Sequence, residues 1–94
     1  MNRVETIREC LTTSLSPQSL TITDDSHRHA GHASAGGGGH FRVQIVADGF
    51  QNKSTLQRHR MVYDALAELL QSNEVHALSI EALTPEETRA KEPL

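Results

Sequence analysis

Apolar residues recur along this chain with two periods, and each change of period marks an element. Val4, Ile7, Leu11 and Leu15 fall three to four residues apart, which places one apolar stripe along a helix. Asn2 stands where an N-cap is needed, Glu5 follows three residues on as in a capping box, and Ser16-Pro17 ends the run. Residues 20–24, Leu-Thr-Ile-Thr-Asp, alternate with period two, as a half-buried strand requires. The alternation returns more strongly where Phe41, Val43 and Ile45 interleave with Arg42, Gln44 and Val46. Asp48-Gly49 turns the chain out of that strand, and Ser54 with Gln57 forms a second capping box. From there Leu56, His59, Val62, Tyr63, Leu66, Leu69 and Leu70 predict one broad apolar face on a single long helix, closed by Ser72-Asn73. Residues 75–80, Val-His-Ala-Leu-Ser-Ile, predict a third strand in which His76 shares a face with Leu78 and Ile80. Thr84, Pro85 and Glu87 supply the cap, first turn and N3 carboxylate of a last short helix, with residues 89–94 expected to fray.

The order helix, strand, strand, helix, strand, helix indicates an α+β domain with helices packed on a three-stranded mixed sheet. The first two strands should pair antiparallel; the third, arriving after a helix, should run parallel to one of them through a right-handed crossover. With 94 residues there is room for one domain, and with one Tyr, two Phe and no Trp its core must be aliphatic.

Charge and cysteine usage narrow the functional classes. A formal charge of −3 argues against a protein that coats nucleic acid by electrostatics alone. The single cysteine, Cys10, excludes an intramolecular disulfide and a Cys-based zinc finger, and its place beside the first apolar stripe reads as an inert packed thiol. No apolar run approaches the roughly 20 residues of a membrane span, and the acidic, helical start lacks the apolar segment of a signal peptide. The expectation is a cytoplasmic protein without membrane association. No Ser/His/Asp order, paired carboxylate cleft or His-Glu-x-x-His motif points to an enzyme.

What remains is histidine. His27, His29 and His32 fall within six residues, ahead of Gly36, Gly37, Gly38 and Gly39 and of His40-Phe41; His59 and His76 bring the count to six. Neutral imidazoles are ready ligands for zinc, iron or copper. The glycine-rich loop has no nucleotide-fingerprint spacing and leads into a strand instead of a helix, so it is no phosphate cradle. Its glycines should leave it mobile when empty. His40 shares a face with Arg42 and Gln44 and is placed to orient the loop or a partner, whereas His59 lies on the long helix's apolar stripe as a packed residue. Lys53, Arg58 and Arg60, with Arg42, form the only basic concentration. It reads as a solvated face, as a docking surface for a protein, or as a contact to nucleic-acid phosphates.

Asp24-Asp25-Ser26, the His-Ala-Gly-His of residues 29–32, His40-Phe41-Arg42-Val43, Phe50, Leu56-Gln57-Arg58-His59-Arg60 with Tyr63, and Val75-His76-Ala77-Leu78 together resemble the BolA-like proteins. The resemblance covers residues 1–85, leaving 86–94 as a short C-terminal helix and tail, and it implies a class II KH-like α+β fold. It also implies an adaptor in iron–sulfur and iron homeostasis that pairs with a monothiol glutaredoxin and glutathione around a shared [2Fe–2S] cluster. Carried over by position, His76 is one ligand. The other is a loop histidine, His29 or His32, with His27 behind both because it directly follows the strand. Alone, such a protein is a monomer without a cluster, since it lacks the thiolates to hold one. The alternative that the resemblance implies is a transcriptional regulator binding duplex DNA through the basic long helix. The backbone-clamping Gly-x-x-Gly of KH domains is replaced here by Gln51-Asn52-Lys53-Ser54, which argues against single-stranded RNA.

Overall fold

A computed structural model describes residues 2–26 and 39–91. Helix α1 (Arg3–Leu15) starts where its cap predicts, with Asn2 Oδ1 accepting the Glu5 N–H at 2.8 Å. It stops at Ser16, whose N–H still bonds the Thr12 carbonyl at 3.1 Å while its left-handed backbone (φ 45°) turns the following chain out of the helix. Strand β1 (Ser19–Asp24) pairs antiparallel with β2 (Gly39–Val46), and β2 pairs parallel with β3 (Val75–Leu83), so β2 is central in the mixed sheet. Between β2 and β3 run a short 3-10 turn (Asp48–Phe50), α2 (Thr55–Ala65) and α3 (Ala67–Gln71); α4 (Pro85–Lys91) follows β3.

One side of the sheet carries the core. Phe41, Val43 and Ile45 are buried while Arg42 and Gln44 are exposed, and Ile7, Leu11, Phe50, Val62 and Leu66 pack over them. The opposite face is polar, with Gln44 donating to Glu81 across the β2–β3 pair.

The expected α+β layout holds, with three differences. The single long helix is two. At Leu66 (φ −108°, ψ 16°) the helical path tightens, and its N–H is shared between the Val62 and Tyr63 carbonyls. The broad apolar face is also narrower than its residues suggest, since Leu56 is 60% and Tyr63 41% exposed. Val62, Leu66 and Leu69 form the inward stripe, and Tyr63 is turned about 100° from Val62 by the helical repeat. The third strand continues to Leu83, because β2 offers pairing partners along its whole length, up to Val46 opposite Leu83. Pairing here outweighs the weak strand preference of Glu81-Ala82.

The start of α4 is bonded in both directions. Thr84 Oγ1 accepts the Glu87 N–H, Glu87 accepts the Thr84 N–H at 2.9 Å, and Arg58 from α2 reaches the same carboxylate at 2.6 Å. The Arg58 hydrogen bond, followed by the Thr84 N–H, draws the Glu87 carboxyl down from 4.5 to about 2. A depressed carboxyl stabilises the fold above its unfolded-state value, and that contribution is lost as pH falls from about 4.5 through about 2. Acid titration followed by circular dichroism should therefore show wild type losing stability over that window relative to Glu87→Gln. The carboxylate is half-exposed, so salt should shrink the difference. Parallel acid profiles would show that the pairing does not hold α4.

Candidate functional site

Because β2 and β3 run parallel, their first residues lie side by side at one end of the sheet. The Gly39 N–H donates to the Glu74 carbonyl at 3.1 Å, and Gly39 sits opposite Val75. The next pair is His40 with Ala77, so His76 is an extra residue on β3, a bulge. This corrects the face expected for His76. Val75 takes the buried position, and beyond the bulge Leu78, Ile80 and Ala82 return toward the core; the His76 side chain is left exposed. An extra residue reverses the alternation, which a strict period of two cannot show.

The bulge brings two imidazoles together. The rings of His40 and His76 lie with centroids 5.5 Å apart and planes inclined by 56°. Asn73 Oδ1 is 3.3 Å from His76 Nδ1. On the other side, His40 is fixed through its backbone: its N–H donates to Ser26 Oγ at 3.0 Å and its carbonyl accepts the Asp25 N–H at 2.8 Å. Asp24 Oδ1 in turn accepts the Ser26 N–H at 2.8 Å, an Asx turn at the end of β1. Arg42 holds Asp25 through Nε and Nη2 at 3.1 and 2.9 Å. Thus the segment bearing His27, His29 and His32 leaves from Ser26 and rejoins at Gly39, both beside the imidazole pair. Those three histidines lie outside the described residues.

Gly39 belongs to the strand, not to the loop in which the glycine run placed it. A Cβ there would stand 2.5 Å from Phe41 Cε2 and 2.7 Å from Ser26 Oγ, so the Phe41 ring occupies the space a side chain would need.

Among the described residues no group of three or more His, Cys, Asp and Glu could hold a metal ion. Cys10 packs against the core from α1. The strand ends therefore bring together two imidazoles, too few donors by themselves to complete a metal's coordination shell.

Of the four basic residues, Arg42 lies near this end beside Asp25, and the others do not join it. Arg58 is drawn inward, 12% exposed, donating to the Lys53 and Ala82 carbonyls at 3.0 Å each and to Glu87, with its guanidinium 6.0 Å from the Phe50 ring centre. That is an internal tie in place of the charge turned to solvent, to a partner or to phosphates that the sequence suggests. Arg42 is paired with Asp25 on the open sheet face, while Lys53 and Arg60 are exposed. Lys53 follows the far end of β2, on the order of 20 Å from His40 along the strand. His59 is half-buried on α2. Sequence reasoning missed Ser26, Gly39 and Asn73 as parts of the site. Ser26 follows an Asx-forming Asp24 and Asn73 closes a helix, signals that give local geometry without naming what it serves.

The chain is similar to known proteins over most of its length. The family described as BolA-like protein matches residues 11–87. The SufE-like protein 1, chloroplastic/mitochondrial, of Arabidopsis thaliana is 51% identical over 87 residues, covering 86% of this chain and 23% of that protein. The DNA-binding transcriptional regulator BolA of Escherichia coli is 42% identical over 83 residues, covering 88% of this chain and 76% of the regulator. Among solved structures, the BolA domain of SufE1 from Arabidopsis thaliana superposes with a TM-score of 0.80 at 46% identity, covering 93% of this chain and 96% of that domain. The chain spans less than two thirds of the length of the first curated relatives it matches.

Proposed function

The chain belongs to the BolA-like protein family, and on that footing we propose that it is an adaptor that pairs with a monothiol glutaredoxin and shares a [2Fe–2S] cluster with it. The observation that carries the reading is the exposed His76 imidazole, set out by a bulge beside His40 at the point where the histidine loop leaves and rejoins the sheet. His76 would supply one nitrogen and His29 or His32 the other, while the thiolates would come from the glutaredoxin and glutathione. Imidazoles in place of two thiolates raise a cluster's potential, as in Rieske centres. The cluster is cargo shared between two proteins, which is consistent with so few donors among the described residues. No helix of the described residues is long and apolar enough to cross a membrane.

The test is to mix the protein with a monothiol glutaredoxin, glutathione, iron and sulfide. A heterodimer should form whose visible absorption and circular dichroism differ from those of the glutaredoxin homodimer. His76→Ala should return the spectrum toward the homodimer's, and His27→Ala should leave it unchanged. An unchanged spectrum with no heterodimer would remove the reading.

A second reading, binding of duplex DNA, is favoured by the 42% identity to a named regulator. Against it, Arg58 is consumed by Glu87 and two carbonyls, leaving Lys53 and Arg60 as the exposed cations of the α2 region, with Asp64 exposed on the same helix. A salt titration on duplex DNA separates the two readings, since contacts to phosphates weaken steeply with salt.

A further inference from the structure

Asn73 is fixed in an arrangement that helix termination alone does not require. It follows the last turn of α3 in the left-handed region (φ 64°), which asparagine tolerates, and its N–H donates to the Leu70 carbonyl. On the next residue, the Glu74 carbonyl accepts the Gly39 N–H, so the turn is held to β2 as well as to its own helix. From this backbone the side-chain oxygen reaches forward three residues to His76 Nδ1. The bulge is what makes the reach possible, because in an unbroken β3 the His76 side chain would lie on the face of Leu78 and Ile80.

An amide oxygen can only accept a hydrogen bond, so an Asn73 amide with Oδ1 toward the ring selects the form of His76 protonated on Nδ1. We infer that Asn73 is a positioning residue: it holds His76 as the Nδ1–H tautomer and so leaves Nε2, the outer ring nitrogen, with its lone pair free to bind a metal. Histidine ligands commonly have their second nitrogen fixed by an acceptor in this way, which sets both the tautomer and the ring direction. The inference rests on the cluster-ligand reading of His76 and adds to it which nitrogen binds and what selects it. Asn73 does not touch the cargo and acts through His76 alone.

The tautomer can be read in the isolated protein, with no cluster present, from long-range proton–nitrogen NMR correlations of the His76 ring at a pH where imidazoles are neutral. Wild type should show Nδ1 protonated in the majority. Asn73→Gly keeps the left-handed backbone and removes the acceptor, and it should shift the Nδ1–H to Nε2–H ratio severalfold toward Nε2–H. Asn73→Asp keeps both the backbone preference and the acceptor, and it should retain the wild-type tautomer. In the reconstituted heterodimer, Asn73→Gly should lose its cluster absorbance severalfold faster than wild type, with Asn73→Asp restoring the rate. A wild-type ring protonated mainly on Nε2, or a ratio unmoved by Asn73→Gly, overturns the inference. Failure of every variant, wild type included, to form a heterodimer overturns the cluster reading instead, and the NMR result still decides what Asn73 does to His76.

Discussion

Phe50→Ala is expected to lower the unfolding free energy by about 3–5 kcal/mol, the range for emptying a buried aromatic site. Phe50 is fully buried and heads the large side chains of the core. It closes the 3-10 turn between β2 and α2, with its N–H on the Ala47 carbonyl and its own carbonyl accepting the Lys53 N–H. Its ring also lies 6.0 Å from the Arg58 guanidinium carbon, so its loss loosens the residue that ties α2 to Ala82 and Glu87. In a domain of this size each kcal/mol moves the melting temperature by roughly 4–8 °C, so the drop should exceed about 12 °C. Phe50→Leu, which keeps most of the volume, should recover much of it. The His40–His76 end lies at the other end of the sheet, and the His76 tautomer should survive the substitution wherever the variant remains folded. Denaturant unfolding checks the first part; a loss below about 1 kcal/mol would mean the core closes over the gap.

The elements that periodicity could find were those whose burial follows a fixed repeat. The α1 stripe, the Asn2 cap, the alternation of β2 and the Ser54–Gln57 capping box depend on residues within four positions of each other, and each stands where the spacing puts it; at α1 the Asn2 oxygen caps the Glu5 N–H without a reciprocal bond from the Glu5 side chain. What periodicity could not find depends on a neighbour distant in sequence. The extension of β3 to Leu83 comes from Val46, and the inward turn of Arg58 comes from Ala82 and Glu87. The bulge at His76 comes from how Gly39 meets Val75. The resemblance to BolA-like proteins supplied His76 without supplying its surroundings. A single-residue slip in register exchanges the two faces of a strand, so strict alternation put His76 on the face of Leu78 and Ile80, whereas the bulge leaves it exposed.

Gly39→Ala is expected to cost about 1–3 kcal/mol although it adds one methyl group. Neither Gly39 nor Gly49 has a positive φ, so alanine is conformationally admissible at both, and what separates them is space. At Gly49 the nearest atom to an added Cβ is Met61 Cε at 4.0 Å, so Gly49→Ala should change stability by no more than about 0.5 kcal/mol. At Gly39 the added atom falls 2.5 and 2.8 Å from two carbons of the Phe41 ring and 2.7 Å from Ser26 Oγ. The ring is 3% exposed and packed in the core, so it can give way only by disturbing its neighbours. Ser26 can give way by rotating, and then the His40 N–H loses its partner at the point where the loop meets β2. The substitution should therefore be read in two places: denaturant unfolding for the packing cost, and amide hydrogen exchange at His40, which should accelerate beyond the global change in stability. Equal effects at Gly39 and Gly49 would show that the Phe41 ring has room to move. If the difference appears, the last glycine of the run is set apart from conformational freedom altogether: it keeps an aromatic ring in place under the strand that carries His40.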